Sequence, residues 1–192
     1  DSNDEIVYAS SMGDGVIQYK NGTPVQSYNE KNAFKETAGG YGSGYCYIDG
    51  LAFDKNGNLW MTSSEVNHAV LVLDKAGAWH RLDIEQLRGV YTINDILITS
   101  TNDKWIYVPR NTPKLVMIPN SESLDEVSSY EFTTLIDTDG KELTPSNYTC
   151  VAEDKDGYIW VGTNRGAVYF TKPRISSAED KAATRCTRVK YT

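Results

Sequence analysis

The sequence predicts an all-β fold built from repeated four-stranded blades, and three observations carry that prediction. The first is an internal repeat: CVAEDKDGYIWVGTNRGAVYF, Cys150 to Phe170, recurs as IDGLAFDKNGNLWMTSS, Ile48 to Ser64, and in degenerate form as INDILITSTNDKWIYVPR, Ile93 to Arg110. The second is its period: Trp60, Trp105 and Trp160 stand 45 and 55 residues apart, the length of four strands with variable loops. The third is the lack of any sustained 3.6-residue apolar period, which leaves Ser177 to Thr184 (SAEDKAAT) as the one short helical candidate.

Taken in order, Ile6 to Tyr28 reads as a blade without its first strand: IVYAS matches the tryptophan strand, GVIQYKNG the third and PVQSY the fourth. Asn29 to Tyr45 is a long connection carrying the run Gly39-Gly40-Tyr41-Gly42-Ser43-Gly44. In the second blade, Asp54-Lys55-Asn56-Gly57 has the composition of a tight hairpin turn, Gly57 supplying the positive φ that closes it. Ala69 to Leu73 and Trp79 to Ile84 then supply its third and fourth strands. The third blade turns through Thr101-Asn102-Asp103-Lys104 without a glycine, so Asn or Asp must enter the left-handed region. Its later strands are Leu115 to Ile118 and Tyr130 to Ile136, and Leu124 to Tyr148 forms a second long connection.

The fourth blade runs through Tyr148 to Glu153, the turn Asp154-Lys155-Asp156-Gly157, the apolar run Tyr158 to Val161, and Gly166 to Phe170. Four consecutive apolar residues suit a strand buried on both faces. The reading is therefore one β-propeller region, 1–192, of about four blades of antiparallel strands, at approximately 6–28, 46–84, 91–136 and 147–192. An open arc of four blades leaves two apolar faces uncovered, so the region is expected to be part of a larger propeller in a longer protein.

Charge and cysteine usage narrow the function. Among 192 residues, 26 acidic against 19 basic give a net charge of −7, which opposes binding to nucleic acid. No apolar run reaches the length of a membrane span. Cys46, Cys150 and Cys186 show neither disulfide-framework nor metal-site spacing; Cys46 and Cys150 fall near first strands, where a buried thiol serves as filler. The turns at Asp137-Thr138-Asp139-Gly140 and Asp154 to Gly157 resemble the start of a calcium loop, but the twelfth positions are Tyr148 and Arg165 rather than glutamate, so both read as hairpin turns. No cofactor and no metal site is expected. The three repeated tryptophans read as core, because every blade must bury an equivalent large residue.

VAEDKDGYIWVGTNRGAVYF resembles the repeat of the two-component regulator propeller family, I-x-x-D-x-x-G-x-I/L-W-x-G-T-x-x-G. Asp154, Gly157, Ile159, Trp160, Gly162, Thr163 and Gly166 match in full. The copy at Asp54, Gly57, Leu59, Trp60 and Thr62 keeps the first half and departs at Ser63 to His68. The resemblance implies the extracytoplasmic sensor region of a hybrid histidine kinase in Bacteroidetes, responding to oligosaccharides. The tail from Tyr169 to Lys190 also resembles PorZ-like propeller proteins associated with type IX secretion, which share the repeat without a kinase. GLAFDKNGNLWMTS further resembles streptogramin-lyase-like and lactonase-like propellers, which implies a metal-dependent enzyme as the alternative. That alternative needs ligands converging on the axis, and His68 and His80 are not in repeated positions.

The function expected is thus non-catalytic recognition or scaffolding outside the cytoplasm, in the periplasm or at the outer-membrane surface. The partners expected are a glycan or cell-envelope polysaccharide, other propeller domains, or a second copy. Loops after the tryptophan strands and the long connections gather at one end of a propeller and build its binding surface. They nominate Glu65, His68, Arg110, Asn164 and Arg165, with Tyr41 and Tyr45, beside Tyr47, as stacking rings.

Overall fold

The computed structural model describes residues 5–38 and 44–190, and the chain divides into two compact units, Asp1–Ile93 and Asn94–Thr192. In the first, β1 (Ile6–Gly13), β2 (Gly15–Lys20) and β3 (Thr23–Tyr28) form the expected three-stranded blade. A four-stranded blade follows: β4 (Cys46–Phe53), β5 (Leu59–Ser63), β6 (Val70–Leu73) and β7 (Trp79–Leu82). All neighbours run antiparallel in the order β3-β2-β1-β4-β5-β6-β7. The two blades join because Met12 and Gly13 pair with Tyr47 and Cys46, so β4 takes part of the edge a missing first strand leaves open. Between them sits a core of Val16, Phe34, Cys46, Ile48, Leu59, Met61, Leu71 and Leu73. Gly15 is required there, since its φ is +85° and a Cβ would stand 2.2 Å from the Tyr28 carbonyl oxygen.

In the second unit, β8 (Ile96–Ile98), β9 (Lys104–Val108), β10 (Lys114–Ile118) and β11 (Tyr130–Phe132) make one antiparallel blade. A hairpin of β12 (Leu135–Ile136) and β13 (Glu142–Leu143) follows. The last blade is β14 (Tyr148–Glu153), β15 (Tyr158–Thr163), β16 (Gly166–Thr171) and β17 (Thr187–Arg188). The stretch read as one strand from Tyr130 to Ile136 is split: Tyr130 to Phe132 pairs with β10, whereas Leu135 and Ile136 turn away to pair with Leu143 and Glu142. Helix α1 (Ala178–Ala183) lies where expected, its first turn capped by the Ser177 hydroxyl, which accepts from the Asp180 N–H at 3.1 Å. Trp105 lies in the core of this unit, its ring 5.8 Å from Phe132 and 5.6 Å from Phe170.

One turn is used five times. It opens at Asp54, Asp74, Thr99, Asp137 and Asp154, whose N–H donates to the carbonyl four residues on and whose carbonyl accepts from the N–H three residues on. The third residue on is always left-handed: Gly57, Gly77, Gly140 and Gly157 have φ between 76° and 89°, and Asn102, at 69°, takes the place the glycine-less copy requires. In every copy the opening side chain also accepts the N–H four residues on. The second carboxylate oxygen then ties down the residue six positions on: Trp60 Nε1 at 2.9 Å, His80 Nε2 at 2.9 Å and Trp160 Nε1 at 2.7 Å. At Asp137 the residue six on is Leu143, and the oxygen pairs instead with Arg188 at 2.7 Å.

Three burial expectations are corrected. Trp60 and Trp105 are 1% exposed, but Trp160 is only half-buried, because it points away from the core on the face carrying Tyr158 and Tyr169. Tyr158 to Val161 is correspondingly not buried on both faces: Ile159 and Val161 enter the core while Tyr158 and Trp160 do not. For the same reason Cys150 is exposed, whereas Cys46 and Cys186 are buried.

Candidate functional site

The backbone after β5 leaves its strand at Glu65 in the left-handed conformation, φ 62°, held by its N–H to the Val90 carbonyl at 2.8 Å. A glutamate at positive φ is strained, and such strain persists only where surrounding contacts enforce it. Its carboxylate lies near Tyr47, whose phenol is raised first by burial and then by Asp49, Tyr45, Glu65 and Tyr91 around it. The rings of Tyr45 and Tyr47 meet edge to face at 6.2 Å, and Tyr45 lies over Gly13, where a Cβ would come within 3.2 Å of it. Asp49 is anchored through the Ser64 hydroxyl at 3.3 Å, and that hydroxyl in turn accepts the Ile93 N–H at 2.8 Å. The Oε1 atom of Glu65 is buried and has no hydrogen-bond partner.

Two nominated residues, Tyr45 and Glu65, thus both lie near Tyr47. Tyr91 and Asp49 join them without a signal in the repeat, because Tyr91 comes from the connection beyond β7. Tyr91 is 57% exposed. Tyr41 lies outside the described residues.

His68 is placed elsewhere. Its Nδ1 pairs with Glu36, whose other carboxylate oxygen accepts the N–H groups of Asn67 at 2.6 Å and His68 at 3.2 Å. Burial works to raise the Glu36 carboxyl, but the His68 ring and these N–H donors outweigh it and hold the group below the ordinary range. The pair fastens the Asn29 to Tyr45 connection to the loop after β5. Glu36 was not nominated from the sequence, since nothing in a loop of that length marks one carboxylate.

In the second unit the loops after β9 and β15 are drawn to one end of the blades by the segment that enters β14. Tyr148 donates to the Pro109 carbonyl at 3.0 Å, and the Asn164 side chain accepts from the N–H groups of Ser146 and Asn147 while donating to the Ser146 hydroxyl at 2.8 Å. Asn164 is occupied by this clamp. Arg110 and Arg165 are both exposed on the loops it joins. Among the described residues neither guanidinium has a hydrogen-bond or ion-pair partner. Among the described residues no three His, Cys, Asp or Glu side chains converge as a metal site.

Residues 142–165 match the model of the two component regulator propeller. No curated protein matches the chain. Among solved structures, it is similar to PorZ, an essential bacterial surface component of the type-IX secretion system of Porphyromonas gingivalis, at 16% identity and a TM-score of 0.82, over 96% of this chain and 25% of that one. It is also similar to the extracellular domain of a putative hybrid two component system of B. thetaiotaomicron, at 16% identity and a TM-score of 0.62, over 98% of this chain and 22% of that one. This chain thus spans about a quarter of the length of the structures it matches. No helix among the described residues is long and apolar enough to cross a membrane. The chain has a β-propeller fold, and within it residues 142–165 match the two component regulator propeller model.

Proposed function

We propose that this chain is part of a non-catalytic propeller that works outside the cytoplasm, in a sensor or a cell-surface assembly, and that the end bearing Glu65 and Tyr45 recognises carbohydrate. The observation that supports this reading is the Glu65 carboxylate: a buried oxygen without a donor, on a strained backbone, near Tyr47, which Tyr45 and Tyr91 also flank. An unsatisfied buried acceptor costs free energy that a ligand hydroxyl would recover. Tyrosine rings offer sugars an apolar face and a hydrogen-bonding edge at little entropic cost. The extracellular and surface placement of the two similar structures agrees with the location.

The test is a glycan-array screen followed by calorimetry on the folded chain. A saccharide hit should lose at least about tenfold in affinity in Glu65→Gln and in Tyr45→Ala, equivalent to about 1.4 kcal/mol. A blank screen, or a hit indifferent to both substitutions, removes carbohydrate recognition at this end and leaves the scaffold role.

A further inference from the structure

At the opposite end of the second unit's strands, where the Thr99 and Asp154 turns lie, is a cavity of about 300 Å3 between the two blades. That is the lower size range of small-molecule sites. Pro173 is accessible in the cavity lining, with Trp105 and Ile159 buried behind it, and the rim carries Lys155, Lys172 and Arg174. All three cations are exposed, and among the described residues none has a hydrogen-bond or ion-pair partner. The acidic residues at the same rim are differently placed. Glu153 has both oxygens filled, by the Ser100 N–H and hydroxyl at 2.6 Å each. Asp103 likewise accepts the Asn120 N–H at 2.8 Å and the Thr101 hydroxyl at 2.5 Å. Only Asp156 faces the opening without a side-chain partner. The chemistry left unspent is therefore mainly cationic, in a chain whose net charge is −7.

The backbone adds a second, independent observation. Lys172 is left-handed, φ 45°, and directly precedes Pro173. A non-glycine residue in that region is strained, and a following proline restricts it further. The strain holds the Lys172 stem over Gly157, beside the opening.

We propose that this cavity is a binding site for a small anion-bearing ligand, a carboxylate or phosphoryl group held by Arg174, Lys172 and Lys155 with its less polar part against Pro173 and the Lys172 stem. Arg174 supplies the fork that matches either group, and the lysines supply point charges. The site is separate from the Glu65 end and stands or falls without it.

The test is calorimetric titration of the chain, at low ionic strength, with inorganic phosphate and separately with citrate. At least one should bind with a dissociation constant of about 1 mM or tighter. Binding of phosphate alone assigns a phosphoryl ligand, and binding of citrate alone a carboxylate. Lys172→Gly with Arg174→Ala should weaken that binding at least about tenfold. Lys172→Gly by itself should leave the Tm unchanged or higher, because glycine accepts the left-handed backbone, which separates lost binding from lost folding. Arg110→Ala with Arg165→Ala, two cations removed at the other end, should leave binding intact. The proposal is overturned if neither anion binds up to about 20 mM, or if the Arg110 and Arg165 pair costs as much as the Lys172 and Arg174 pair.

Discussion

Trp105 and Trp160 hold the same place in two successive blades, six residues after the residue that opens the turn, yet one is 1% exposed and the other half-buried. Their local bonding runs the opposite way. Trp160 donates its indole N–H to Asp154, while the turn before Trp105 opens with Thr99, a hydroxyl in place of that carboxylate. What buries Trp105 is its neighbours: Phe132 from its own blade and Phe170 from the next. Trp160 instead stacks at 4.9 Å on Tyr169, which stacks at 5.6 Å on Tyr158, in an aromatic row facing away from the core. A repeat can therefore specify where a tryptophan sits in its blade without specifying how deeply it is buried.

Truncating the two rings should separate them most clearly. Trp105→Ala opens a cavity in a packed core and should cost about 3–5 kcal/mol in urea unfolding, as such substitutions do. Trp160→Ala should cost clearly less, about 1–2 kcal/mol. Equal losses would break the comparison. Next in size is the turn itself: Asp54→Ala removes the acceptor of the Trp60 indole and of two N–H groups in a buried setting, and should cost about 1–3 kcal/mol.

Acid should act through the same carboxylates. At Asp54, burial works to raise the carboxyl, but the Trp60 indole and the N–H donors of Asn58 and Asn56 prevail and hold it low. At Asp154 the Trp160 indole and then the Tyr158 N–H hold it low. A carboxyl lowered on folding contributes stability that is present above its unfolded value, about pH 4, and lost as pH falls through its folded value. The Tm should therefore drop below about pH 4, and the drop should be shallower in Asp54→Asn. The smallest effect is chemical rather than energetic. Iodoacetamide on the native protein should modify Cys150 and spare Cys46 and Cys186, which are buried and whose thiols burial pushes up. Labelling of all three at similar rates would contradict the exposed face beside Trp160.

The strand order, the three-stranded first blade, the left-handed Asn102 and the short helix were all legible, because turn chemistry and apolar runs are local. The depth of Trp160, the exposure of Cys150 and the break after Phe132 were not, since each depends on what packs or pairs across from it rather than on its neighbours in sequence. In the candidate site, Glu65 could be found from the loop that follows a tryptophan strand and Tyr45 from the long Asn29 to Tyr45 connection. Tyr91 comes from a connection outside the repeat, and His68 turned toward Glu36, a partner 32 residues away that no periodicity marks. The cavity beneath Lys172 was missed because the reading assigned function to one end of the blades only.

The turn opened by Asp54, Asp74, Asp137 and Asp154 draws nearly all its defining bonds from seven consecutive residues. A gene segment encoding one blade therefore carries the instructions for its own hairpin wherever it is copied. After duplication, the outward loops can diverge, as the two arginine loops and the Glu65 loop have, while the copied segment still closes. The exception at Asp137, where Arg188 takes the place of the missing indole, shows the same device surviving the loss of one part by recruiting a charge from far along the chain.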